Sequence, residues 1–304
     1  MRIFILLVML IALAILVHQN NQHHTKLNPV SSRLLHPFDD RIRYKIAELD
    51  PRFGLSEEEL IKITQEATQI WSLATGKDFF VYDPNARLGL HLIYDDRQYE
   101  TEQRKKHIKH IDREQQLWDQ KKQYVNQQQQ LIDSERNLIN TKRKELDTLI
   151  QTHNAMIAQI NRSGGALPEQ KKILEVKNLE LEQRIAQMEI EIEQHNFNTL
   201  RLNQKVDELN QMNHQIDRVI QDFNQSFQPR MFDKGLFNGK DIYIYEFEST
   251  DDLRLTLAHE FGHALGLKHH NEPTALMFPM LKDQNMQHFR LQPADLDLLR
   301  QRRH

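Results

Sequence analysis

Five residues near the C-terminus, His259, Glu260, His263, Gly266 and His269, stand in the pattern H-E-x-x-H-x-x-G-x-x-H. Side chains four apart share one face of an α-helix, so His259 and His263 can grip one metal ion while Glu260 stands beside them. Gly266 is where that helix must stop and reverse, because glycine takes the required backbone turn without a steric cost. The reversal brings His269 round as a third ligand. Three neutral imidazoles leave a fourth position for water, the open arrangement of a catalytic zinc ion. Zinc lowers the pKa of such a water towards ~7 and polarises a carbonyl group. Glu260 is placed to take the water's proton and pass it to a leaving amine.

The chain carries sixteen histidines, so coincidence needs a number. For this composition the five positions would coincide in on the order of one chain in ten thousand. Surface histidines on an amphipathic helix are therefore the weaker reading. A histidine-only structural zinc site would have no use for Glu260.

The segment HEFGHALGLKH at His259–His269, followed by ALMFPM at Ala275–Met280, resembles a matrixin-type zinc metalloprotease of the metzincin clan. Met277 matches the methionine of that family's Met-turn, which underlies the zinc site without ligating it. Pro279 and Met280 match the segment that walls the specificity pocket and pairs with substrate backbone. Looser likeness extends to IRYKI at 42–46, IWSLATG at 70–76 and LQPADLDLL at 291–299. The resemblance implies an α+β fold, a metzincin-like catalytic domain with a twisted mixed sheet plus helices. It also implies one catalytic Zn2+ and a protein or peptide substrate lying extended in a cleft against a strand edge. Three departures stand out. No ligand series for the family's structural zinc or calcium is readable. No cysteine exists for a thiol-to-zinc latency switch. Leu281 stands where a tyrosine often follows the wall segment, and His270 follows the third ligand.

Elements that position these residues are legible on both sides of a long central stretch. Arg41–Ala47 alternates polar and apolar, as a half-buried strand does. Ser56 with Glu59 forms a capping box for a helix running to Ala74, and Gly76 closes it. Short strands are predicted at Phe79–Tyr82 and Leu88–Tyr94, and another at Asp241–Phe247. Ser249 or Thr250 caps the histidine-bearing helix, with Asp251 and Asp252 favourably placed in its first turn. A short terminal helix begins at Gln292-Pro293. Neither flank alone is long enough for a comfortable core, so 41–96 and 229–304 are read as two parts of one catalytic domain.

Between them the chain changes character. No glycine or proline occurs from Leu90 to Ser163, nor from Glu169 to Gln228. A structured chain that long without turn residues is helical. In the second arm Leu174, Leu181, Met188, His195, Leu202, Leu209, Ile216 and Phe223 recur every seven residues. Ile185, Ile192, Thr199, Val206, Asn213, Ile220 and Phe227 follow four residues on. That is a coiled-coil pattern. The first arm keeps one strict column, Ile111, Trp118, Val125, Ile132, Ile139, Leu146, His153 and Ile160, with Leu117, Tyr124, Leu131 and Leu138 beside it. Gly164, Gly165 and Pro168 supply the turn near 161–168. Residues 97–228 therefore read as a long antiparallel coiled-coil helical hairpin that interrupts the catalytic domain and returns the chain near its start. The alternative is arms that bundle with a coiled-coil partner or self-associate.

Arg2 precedes fifteen apolar residues, Ile3–Val17, then polar His18-Gln19-Asn20-Asn21. This is the layout of a secretory signal. At ~1.5 Å per residue the run spans roughly 22 Å, short of a ~30 Å hydrocarbon core. Residues 1–18 are read as a signal peptide or N-terminal membrane anchor attaching through 3–17, with a buried core helix the minor alternative, and 19–40 as a linker. His23 and His24 there are read as solvated. The protein is thus expected to be exported, periplasmic or extracellular, secreted or anchored. A net charge of −3 makes nucleic acid a disfavoured partner. The leading reading is an exported zinc-dependent endopeptidase. The alternative is an envelope scaffold or adaptor in which the hairpin binds partners and the zinc domain is secondary.

Overall fold

The computed structural model describes residues 8–14, 27–36, 38–228, 232–281 and 284–301. In chain order it forms α1 (Val30–Leu35), β1 (Ile42–Leu49), α2 (Glu57–Thr75), β2 (Phe80–Tyr82), β3 (Leu88–Leu92), α3 (Asp96–Arg162), α4 (Pro168–Ser226), β4 (Gly235–Phe237), β5 (Ile242–Ile244), α5 (Thr250–Ala264) and α6 (Pro293–Gln301). The chain divides into two compact units, one made of Met1–Lys106 with Phe227–His304, the other of His107–Ser226.

The first unit is mixed α/β. Its five strands lie in the order β2-β1-β3-β5-β4. All pairs are parallel except β4 with β5, where Gly235 faces Ile244 and Phe237 faces Ile242. The sheet is therefore mixed, with β4 as one of its edges. Ile42 and Tyr44 of β1, Leu88, Leu90 and Leu92 of β3, and Ile242 and Ile244 of β5 are buried. They form one core with Leu60, Ala67 and Trp71 of α2 and Leu253, Leu257 and Phe261 of α5. The capping box of α2 forms as the sequence predicts: Ser56 Oγ accepts from the Glu59 amide, and Glu59 accepts from the Ser56 amide at 2.8 Å. Ser249 caps α5 by accepting from the Asp252 amide.

Two features were not predicted. Strand β4 is three residues long, too short to show alternation, yet Asn238-Gly239 after it is a strong hairpin signal. Within the stretch read as linker, residues 30–35 are helical and the buried Asn28 side chain bonds Arg41 O and the Arg43 amide, each at 2.8 Å. Of the apolar run Ile3–Val17 only 8–14 is described, and it is helical; the remainder, like His23 and His24, lies outside the described residues. Among the described residues no helix is long and apolar enough to cross a membrane.

The second unit consists of the long helices. Trp118 Nε1 donates to Leu209 O at 3.2 Å, Lys142 pairs with Glu191 at 2.7 Å, and His153 Nε2 lies 2.6 Å from Asn178 Oδ1. As partner numbers rise along α3 they fall along α4, so the two helices run in opposite directions. Val125, Ile132 and Leu202 form its core with Val206 beside them. Leu117, Tyr124, Leu131 and Leu138 are exposed.

Candidate metal centre

Helix α5 is buried almost all the way round, and the candidate residues sit in its last two turns. His259 Nε2 and His263 Nε2 each lie 3.2 Å from His269 Nε2. A zinc ion with tetrahedral bonds of ~2.0–2.1 Å would hold its ligand nitrogens roughly 3.3 Å apart, so the spacing fits. These three side chains are the group that can hold a metal ion among the described residues.

Backbone carbonyls orient two of the rings. His259 Nδ1 donates to Leu276 O at 2.6 Å and His263 Nδ1 to Leu267 O at 2.9 Å. With the proton on Nδ1, each Nε2 carries a lone pair towards the common centre. Burial favours the same neutral form. It pushes the His259 pKa down to about 3, with neighbouring His263 and His269 adding to the effect while the Leu276 carbonyl opposes it. His263 is shifted in the same direction, chiefly by burial.

His269 reaches the centre through a helix stop. Gly266 adopts φ 86°, a left-handed conformation that costs other residues strain. Its amide donates to His263 O at 2.8 Å and the Leu267 amide to Gly262 O at 3.0 Å, closing the helix end and turning the chain back. His270 points elsewhere: its Nδ1 accepts from the Glu272 amide at 2.9 Å.

Glu260 follows His259 on the helix and is 5% exposed. Strand β4 crosses it closely. A Cβ at Gly235 would lie 2.8 Å from Glu260 Oε1, so only glycine lets the strand backbone approach this far. The Phe237 amide donates to the Glu260 carboxylate. Burial nevertheless dominates and pushes the Glu260 pKa up to about 7, with the charge of Asp233 acting in the same sense. Its Oε2 has no hydrogen-bond partner among the described residues.

Met277 is fully buried beneath α5, where a Cβ on Gly262 would clash with its Sδ. Asp295, on α6 and also fully buried, supports this turn from below. It accepts from the Leu276 amide at 3.0 Å and the Met277 amide at 2.9 Å. Leu276 in turn supplies the carbonyl that orients His259. Sequence reasoning did not single out Asp295. Its place in the first turn of α6 reads as dipole compensation, and only the fold reveals the longer-range contact. Trp71 was likewise missed; its Nε1 donates to Ala258 O at 2.9 Å from α2, bracing the helix one residue before His259. Pro279 and Met280 follow in an exposed bend.

The matrixin family profile matches residues 37–301. Over 72 residues, 22% of this chain, the sequence is 44% identical to a matrix metalloproteinase-27 of Tupaia belangeri. Over 46 residues, 15% of this chain, it is 48% identical to matrix metalloproteinase-16 of Homo sapiens and of Rattus norvegicus. The matched segments span 14% of the length of the first relative and 8% of the others. With a family match that runs across nearly the whole chain and takes in both flanks, this protein belongs to the matrixin family.

Proposed function

We propose that the protein is an exported zinc-dependent endopeptidase. The observation that carries this reading is the meeting of three imidazole nitrogens, two held 3.2 Å from the third, beside a buried and otherwise unpartnered carboxylate oxygen. His259, His263 and His269 would hold the metal. Zinc in that position supplies a Lewis acid for a substrate carbonyl and acidifies a water. Glu260 is the general base: it takes the proton of the attacking water and delivers it to the amine of the broken peptide bond. An ordinary exposed glutamate would be a weaker base and a poor donor near neutrality, whereas a carboxyl raised by burial suits both tasks. Bound zinc, a positive charge close by, would draw that pKa back down.

The other residues fill supporting roles in this reading. Met277 floors the metal site, Gly266 turns the chain so that His269 reaches it, and Pro279 and Met280 wall the substrate pocket. An extended protein or peptide substrate lies against β4, the sheet edge that crosses Glu260. Residues 41–96 and 229–304 form one catalytic domain, and 97–228 form a coiled-coil hairpin inserted in it, supported by the opposed helices and the heptad columns. Residues 1–18 direct export. A scaffold has no use for a buried glutamate beside three converging histidines, so the enzyme reading is preferred.

Glu260→Ala tests the assignment. Peptide hydrolysis should fall by about 10²–10⁴-fold, the usual contribution of a general base. Metal analysis should still find one zinc per chain. Cleavage at the wild-type rate would remove Glu260 from the mechanism.

A further inference from the structure

The first turns of α3 belong to the same compact unit as the metal centre, and their side chains bond the chain just before β4 and just after β5. Arg97 Nη1 donates to Asp233 O at 3.1 Å, two residues before β4 begins. Its guanidinium lies 3.6 Å from the ring centre of Tyr245 and is held in place by Asp95, whose carboxylate accepts from Nη2 at 2.6 Å. The next residue, the buried Gln98, accepts from the Phe247 amide at 3.0 Å. Thr101 bonds Glu246, while Arg104 pairs with Glu248 and Lys105 with the Glu248 carbonyl.

Lys234 completes the connection. Its carbonyl accepts from the Tyr245 amide at 2.8 Å, and its ammonium pairs with the buried Asp252 at 2.7 Å. Asp252 stands in the first turn of α5, two turns before His259 on the same helix. The next residue after Lys234 is Gly235, whose backbone presses on Glu260.

We infer that Arg97, at the root of α3, is a positioning residue for the candidate peptidase site: by holding the Asp233 carbonyl and the Tyr245 ring it fixes the start of β4 against Glu260. Strand β4 is bonded to the sheet along one side only, through β5. A three-residue edge strand makes few ladder bonds of its own and frays unless its ends are tied. Arg97 supplies such a tie from outside the sheet. The inference rests on the peptidase reading, because it takes β4 to be the strand along which a substrate pairs.

The test uses the full chain with Arg97→Ala and Arg97→Lys. Arg97 is 28% exposed, so its loss leaves the core intact. In metal-free protein, hydrogen exchange across 233–237 should speed up about tenfold in Arg97→Ala, the scale of one charge-assisted hydrogen bond, while the amides of α5 keep their protection. Lysine, which still donates to a carbonyl, should restore most of it. In zinc-loaded protein, affinity for acetohydroxamate, which needs only the metal, should stay unchanged. Affinity for a peptide hydroxamate long enough to pair along β4 should fall about tenfold, again the loss of one such bond. Unchanged exchange across 233–237 together with unchanged peptide-hydroxamate affinity would overturn the inference. If the wild-type protein binds neither hydroxamate, the peptidase reading fails, and the exchange comparison still decides whether Arg97 positions β4.

Discussion

Helix α5 and helix α4 are helical for different reasons, and the contrast explains where the candidate metal centre sits. Of the fifteen residues in α5, eleven are buried; of the fifty-nine in α4, only Leu202, Leu209 and Ile216 are. Helix α5 shows little division into polar and apolar faces because protein surrounds it. Helix α4 is written in heptads and strong helix formers, which shape it locally. The same side chain behaves differently in the two settings. Glu260 in α5 is pushed up to about 7 by burial. Glu191 in α4 is pulled below its ordinary value by the hydrogen-bonded ammonium of Lys142. Burial on α5 brings the Glu260 carboxyl close to neutrality, the range the proposed general base needs, whereas Glu191 has no such shift upward.

The largest effect should come from breaking burial itself. Phe261→Ala removes a ring packed 5.1 Å from Tyr44 and 4.6 Å from Phe80, centre to centre. Denaturant titration should show a loss of about 3–5 kcal/mol, since such cavities collapse only partly.

Next comes the stored cost of Glu260. Its carboxyl titrates at about 7 in the folded protein and at 4.5 ordinarily. A raised carboxyl stabilises the fold fully below the unfolded pKa and loses that contribution as pH rises through the folded pKa. In chelator-stripped protein, Glu260→Gln should therefore match the wild type at pH 4. Above pH 7 it should be more stable by roughly 3 kcal/mol, at 1.36 kcal/mol per unit. Equal stabilities at pH 8 would show that the buried carboxylate is solvated or paired.

The arms should respond least. Leu202→Ala, in the narrow core with Val125 and Ile132, should cost about 2 kcal/mol, at the low end for a leucine because two helices enclose less than a domain core. Leu131→Ser, on the exposed column, should stay within about 0.5 kcal/mol. A loss at Leu131 comparable to that at Leu202 would mean that the column is covered in solution, as the bundling alternative requires.

Much of the site was legible because its signals are local. Helical spacing brings His259 and His263 to one face, and Gly266 marks the reversal that delivers His269. The capping box at Ser56 and Glu59 is equally local and forms as read. Strand β4 was not found, because three residues cannot display a period and its one clue lay in the turn after it. Asp295 was not found because its partners, the amides of Leu276 and Met277, are 18 and 19 residues away. Trp71 bonds Ala258 across 187 residues. Nothing in the neighbouring sequence announces either contact.

By itself the sequence determined the candidate ligand set, the helical arms and the turn between them, since each depends on residues close to one another along the chain. Only the tertiary structure decided that the His259 and His263 rings are oriented by the Leu276 and Leu267 carbonyls, that Gly235 lies against Glu260, and that Arg97 of α3 bonds the Asp233 carbonyl before β4. The physical reason is the range of the forces involved. Propensity and periodicity act along the chain, whereas exclusion of water and the pairing of buried polar groups depend on which distant segments arrive at the same place.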